Sequence, residues 1–155
     1  HSFFVTQSGD VYASGEDAFG SLGNGSGDTD WSIPTQITSL SNIAYAAADG
    51  WNSVALSDSG TVYTWGQDKA MLGLGASANE SPYNTPQEVS SLSNNTITVS
   101  EVEIGRVSSA ATGAKDNRGY AIARDDNGSM WVWGLNNVHQ LGDKVRKTRE
   151  TPYNW

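Results

Sequence analysis

"SGTVYTWG" at residues 59–66 is echoed by "SGDVYASG" at 8–15 and by "NGSMWVWG" at 127–134. The likeness extends outward on both sides. The three copies read "HSFFVTQSGDVYASGEDAFGSLGNG" (1–25), "NSVALSDSGTVYTWGQDKAMLGLG" (52–75) and "RGYAIARDDNGSMWVWGLNNVHQLGD" (118–143). Each has an alternating apolar run, a polar turn containing glycine, a second alternating run ending in glycine, and a loop ending in Leu-Gly. An Asp, Ser or Asn followed by Gly between two alternating runs predicts a β-hairpin, because tight turns of this kind need positive φ. Gly9, Gly60 and Gly128 close those turns, and Gly15, Gly66 and Gly134 end the second strands.

A second unit recurs between the hairpins. "IPTQITSL" (33–40) matches "TPQEVSSL" (85–92), and "ETPYNW" (150–155) begins a third. Pro34, Pro86 and Pro152 suit the start of a strand or a sheet edge, where a missing N–H costs nothing. "IAYAAAD" (43–49) and "ITVSEVEIG" (97–105) read as further strands. Each period of roughly fifty residues therefore holds four short strands, the content of one β-propeller blade. The chain reads as one all-β propeller segment of about three repeats: 1–40, 41–92 and 93–155. Counting strands in fours predicts two complete blades at about 34–66 and 86–134, flanked by part-blades.

Composition agrees with this class. The chain has 155 residues, 37% of them hydrophobic, and 17 glycines. That length supports one domain with a core, and the polar, glycine-rich remainder suits turn-rich β structure. Without cysteine there are no disulfides and no thiolate zinc sites. No apolar run approaches the roughly 18 residues of a membrane helix. A net charge of −8 argues against general nucleic-acid binding. "KVRKTR" (144–149) is the local exception. The acidic, cysteine-free, Ser/Thr/Asn-rich composition points to an extracellular, cell-surface or virion setting.

The run Gly-x-Asp/Asn-x-x-Gly-x-Leu-Gly-x-Gly, after a Val-Tyr-x-Trp-Gly strand, resembles the repeat of the regulator of chromosome condensation family. Copy one carries Gly15, Asp17, Gly20, Leu22, Gly23 and Gly25. Copy three has Gly134, Asn136, Leu141 and Gly142, with His139 where glycine is usual. Copy two is one residue short before Leu72-Gly73 or Leu74-Gly75. The resemblance implies a propeller of about seven blades, of which three are present. Such an arc is expected to be an excerpt of a longer propeller or to assemble with other copies through its open blade edges. The resemblance also implies an alternative activity, guanine nucleotide exchange with docking to chromatin. The net charge and the lack of a recognisable extra β-wedge place that second.

Searches for chemistry end elsewhere. In "GRVSSAATGAK", Gly105 and Gly113 are too far apart for a Walker phosphate loop, and Ala114 separates Gly113 from Lys115. "SDSGTVYTW" (57–65) resembles a sialidase Asp box with its spacing broken. Asp28 with Asp30, and Asp125 with Asp126, lack calcium-loop spacing. His1 and His139 are too far apart in the repeat to pair on a metal. The reading is therefore non-catalytic, with no cofactor or metal, and with a protein as partner. Its candidate interaction loops are an insertion at 105–118 (Arg106, Lys115, Asp116, Asn117, Arg118), an acidic loop (Asp28, Asp30, Trp31) and a basic loop (Lys144, Arg146, Lys147, Arg149). Trp65 and Trp133 share a column and are expected between neighbouring blades. Trp31, Trp51 and Trp155 lie outside that column and carry the alternative of a glycan-binding surface.

Overall fold

The computed structural model describes residues 1–75, 82–93, 96–107 and 118–155. The described chain forms three antiparallel sheets. The first holds β1 (Ser2–Val5), β2 (Val11–Gly15) and β3 (Trp31–Gln36). The second holds β4 (Ile43–Asp49), β5 (Asn52–Ser57), β6 (Val62–Gly66) and β7 (Tyr83–Glu88). The third holds β8 (Val99–Val107), β9 (Arg118–Asp125), β10 (Met130–Gly134) and β11 (Arg149–Asn154). A one-turn helix, α1 (Lys69–Leu72), follows β6. Strands are hydrogen-bonded in chain order within each sheet, as in propeller blades.

The blades are phased differently from the expected 34–66 and 86–134. Each proline-containing strand pairs backwards, onto the hairpin before it. Ala13 faces Thr35, Thr64 faces Gln87 and Val132 faces Tyr153. The complete blades are therefore β4 to β7 and β8 to β11, and "ETPYNW" closes the third sheet rather than opening another unit. In every blade the register shifts just before the strand-ending glycine, between Ala13 and Gly15, Thr64 and Gly66, and Val132 and Gly134. Such bulges bend a strand and strengthen its twist. Pro34, Pro86 and Pro152 lie on the outermost strands, whose free edge asks for no N–H donor.

Period-two alternation gives the middle blade two buried faces, and all six residues of β5 are buried. Ala55 and Trp65 look towards the first sheet and close a core with Val11, Ala13, Leu22, Ile37, Leu40 and Ile43. Val54, Leu56 and Val62 look the other way, to Val102, Ala121, Ala123 and Trp133 of the third sheet. Each fully buried Val or Leu contributes at most about 1.5–3 kcal/mol.

The loop after each strand-ending glycine folds into a shelf. Asp17 Oδ1 accepts from the Leu22 N–H at 2.9 Å, and Asn136 Oδ1 accepts from the Leu141 N–H at 3.0 Å. In the second copy Asp68 Oδ1 accepts from Ala70 and caps α1. The next blade's tryptophan lies on this shelf. Trp65 Nε1 donates to the Ser21 carbonyl at 2.9 Å, and Trp133 Nε1 donates to the Met71 carbonyl at 2.6 Å. Both indoles are fully buried, so the expected interblade packing is found. Backbone bonds continue the contact, from Gly25 N–H to the Asn84 carbonyl and from Gly75 N–H to the Glu150 carbonyl, each at 2.8 Å.

Candidate recognition surface

Register places the acidic loop, the basic loop and the two described ends of the insertion at one end of the blades. Gly66 faces Asn52 and Gly134 faces Tyr120, so the shelf loops leave from the end at which β4 turns into β5 and β8 approaches β9. Of the insertion, Lys115, Asp116 and Asn117 lie outside the described residues. Arg118 pairs through its backbone with Val107. Arg106 is exposed and stands 4.0 Å from Asp49 on the neighbouring blade, a separation worth little in water.

The acidic loop is partly structural. Asp30 Oδ1 accepts from the Asp17 N–H at 2.9 Å, which holds the loop's two ends together. Asp28 is exposed, and Trp31 is half-buried against the core between the first two sheets. Trp51 packs on Phe19, with ring centroids 4.8 Å apart. Trp155 lies on the third blade. Each of the three tryptophans outside the interblade column thus serves a different place.

The basic loop divides in two. Arg149 is internal: Nε and Nη2 donate to Asp143 Oδ2 at 2.9 and 2.7 Å, and its guanidinium lies 4.1 Å over the Tyr153 ring. Asn136 Nδ2 donates to the other Asp143 oxygen at 2.6 Å. Burial pushes the Asp143 carboxyl up, but Arg149, Asn136 and the Val145 N–H together outweigh it and hold the group below the usual range. Lys144, Arg146 and Lys147 are exposed. Arg146 Nε donates to His139 Nε2 at 2.9 Å. His139 fills the glycine column at φ +64°, beside +72° for Gly20.

One feature went unread in the sequence. Trp155 Nε1 donates to the Gly142 carbonyl at 2.9 Å, and the indole lies over Gly142 much as Trp65 lies over Gly23. Gly142, Asp143, Lys144, Tyr153 and Trp155 border a cavity of about 430 Å³. Aligning "IPTQI", "TPQEV" and "TPYNW" puts Trp155 in the column of Ile37 and Val89, which is the signal that marks it. Those two are 2% and 0% exposed, whereas Trp155 is 66% exposed. Among the described residues no group of three or more His, Asp or Glu side chains is placed to hold a metal ion.

Four-stranded antiparallel blades, stacked through a shelf and an indole, define a β-propeller segment. The regulator of chromosome condensation (RCC1) repeat matches residues 8–56 and 59–112, and the chain belongs to that family. It is 32% identical, over 98% of its length, to a bifunctional serine/threonine-protein kinase/NEDD4-like E3 ubiquitin-protein ligase of Dictyostelium discoideum, of which it spans 8%. It is 28% identical over 92% of its length to the mitochondrial RCC1 domain-containing protein RUG3 of Arabidopsis thaliana, spanning 30% of that protein. It is 29% identical over 97% of its length to human E3 ubiquitin-protein ligase HERC2, spanning 3%. The chain thus corresponds to less than a third of each of these relatives. Human WBSCR16 shares the fold, with a TM-score of 0.76 at 21% identity, over 98% of this chain and 36% of that one. Yeast RCC1 (Prp20), solved with Kap60 bound to it, aligns with a TM-score of 0.52 at 14% identity, over 98% of this chain and 46% of that one.

Proposed function

We propose that this chain is a non-catalytic protein-recognition segment of an RCC1-type propeller, read by its partner at the end of the blades that carries the three loops. One observation carries the reading. Homologous shelf loops in the first and third blades bear opposite charge, with Asp28 exposed in one and Lys144, Arg146 and Lys147 exposed in the other. The buried polar groups of both loops are engaged in holding the fold, so the exposed charges are surplus to it. A rim of mixed sign steers association and orients a partner more than it adds affinity. Yeast RCC1 (Prp20), which shares this fold, is solved with Kap60 bound to it, and that supports the same class of function. The composition adds a setting to this reading, adhesion or assembly at a cell or virion surface.

The test is reversal of the rim. Arg146→Glu with Lys147→Glu, and separately Asp28→Lys, are compared with wild type by cross-linking mass spectrometry in the source organism. The reading expects a discrete set of cross-linked proteins to disappear while the melting temperature stays put. An unchanged set in both variants overturns it.

A further inference from the structure

We infer that the ring pair of Phe19 and Trp51 is a binding site for an arginine side chain of a protein partner. The proposal rests on the recognition reading above for its class of partner, and deepens it by naming a site and the chemistry that fills it.

Phe19 belongs to the first shelf and Trp51 to the turn between β4 and β5, and their ring centroids are 4.8 Å apart. The pair thus joins the first blade to the second. The second shelf adjoins it, because the Gln67 N–H donates to the Trp51 carbonyl at 3.1 Å. The first shelf, this turn and the second shelf all lie inside the chain, away from its ends. The fold makes little use of either ring. Neither is part of the two hydrophobic cores. Phe19 is 37% exposed and takes φ +60°, a left-handed backbone that a bulky residue rarely adopts. The third shelf has Val138 at the matching position. Trp51 Nε1 has no hydrogen-bond partner among the described residues, whereas the indoles of Trp65, Trp131, Trp133 and Trp155 all donate.

Carboxylates flank the rings. Asp30 Oδ1 accepts from the Asp17 N–H at 2.9 Å, and the Gly20 N–H donates to the Gly27 carbonyl at 3.2 Å. These bonds fold the acidic loop back beside Phe19, with Asp28 and Asp30 exposed. On the other flank, Asp49 pairs with Asn52 across the turn that carries Trp51. Arg106 stands 4.0 Å from Asp49 and is itself exposed, so it neutralises that carboxylate only weakly. Aromatic rings with carboxylates beside them attract a cation. A guanidinium suits them better than an ammonium, because its plane stacks on a ring while its N–H fork meets a carboxylate. The third blade holds such a set within itself: Arg149 lies 4.1 Å over the Tyr153 ring and bonds Asp143. Among the described residues the Phe19 and Trp51 rings have carboxylates near them but no cation over them. A partner's arginine completes the set, and the free Trp51 N–H is a donor for a carbonyl of the same segment.

Fluorescence polarisation of the purified protein with a labelled Gly-Ser peptide bearing arginines tests this. Matched peptides carry lysine, or neutral citrulline, in place of each arginine. Wild type is expected to bind the arginine peptide at least about threefold tighter than the lysine peptide and at least about tenfold tighter than the citrulline peptide. Trp51→Ala is expected to weaken arginine-peptide binding about three- to tenfold. Phe19→Gly is expected to do the same, and it keeps the test valid should Trp51→Ala fold poorly, because glycine suits φ +60°. No binding of the arginine peptide overturns the proposal, as does equal binding of the lysine or citrulline peptide, or binding that both ring variants leave unchanged. Binding weakened by Asp28→Lys but by neither ring variant upholds the rim reading and overturns this one. Binding weakened by the ring variants, with the cross-linked set unchanged on rim reversal, overturns the rim reading and upholds this site.

Discussion

The indole of Trp65 rests on Gly23, and a Cβ at Gly23 would stand 2.7 Å from its Nε1. Trp133 rests on Gly73 with the same 2.7 Å clearance. The shelf glycines hold φ of +74° and +72°, so side chains are disfavoured twice, by backbone and by crowding. Gly73→Ala is expected to destabilise the chain by about 2–4 kcal/mol and to disturb the fluorescence of the buried tryptophan. Gly128 is the control. It has φ +83° but nothing within 4 Å of an added Cβ, so Gly128→Ala is expected to cost only about 1–2 kcal/mol. Urea unfolding of both variants separates the crowding from the backbone effect.

Asp17 and Asn136 do the same work in the first and third shelves but are not interchangeable. The second oxygen of Asp17 accepts from Ser26 Oγ and the Thr29 N–H. The amide nitrogen of Asn136 donates to Asp143 and to the Val145 carbonyl. Asp17→Asn turns an N–H donor towards the Thr29 donor. Asn136→Asp sets a carboxylate against that of Asp143. Each is expected to cost about 1–3 kcal/mol near neutral pH. Only Asn136→Asp is expected to recover as pH falls, because crowding raises its folded pKa and protonation relieves it. Thermal melts at two pH values distinguish them.

The turn between β9 and β10 is expected to give the fold acid sensitivity. Asp125 is held below the ordinary carboxylate range first by Trp131 Nε1, donating at 3.1 Å, and further by the Ser129 and Asn127 N–H groups, against the opposing effect of burial. A depressed folded pKa contributes stability above the unfolded value, about 3.9, and that contribution is lost as pH falls through the folded value. Asp143, also depressed, adds to the same loss. Asp125→Asn is expected to melt below wild type near neutral pH, with the gap narrowing as pH drops below the unfolded value. A gap that stays constant with pH would count against this role.

Sequence reading reached the hairpins, the glycine columns and the interblade tryptophans because each follows from local rules: alternation, positive φ and repeat position. It missed the blade phasing because counting strands in fours does not decide whether β3 pairs back across the long segment 16–30 or forward across the short segment 37–42. That longer loop is not slack. Asp17, Leu22 and Asp30 fold it onto the strand end, so β3 returns to β2 with little entropy left to lose. Arg149 read as a surface cation in a basic run. Its partner Asp143 and its stacking on Tyr153 arise only once β11 pairs with β10. Trp155 was legible only by aligning the proline strands, and its place on Gly142 needed the structure.

His139 and Lys144 are the two positions where the third shelf departs from glycine while keeping glycine's conformation, both at φ +64°. Left-handed backbone costs a non-glycine residue about 1–2 kcal/mol. The opposing cost is the extra freedom a glycine loses on folding, about 0.5–1 kcal/mol. His139→Gly also gives up an exposed hydrogen bond from Arg146. Lys144→Gly gives up no side-chain hydrogen bond or ion pair among the described residues. Lys144→Gly is therefore expected to stabilise the chain by up to about 1 kcal/mol, and His139→Gly by less. Urea midpoints measured with the slope unchanged check both. A destabilising Lys144→Gly would mean that the lysine side chain, rather than its backbone, holds the third shelf in place.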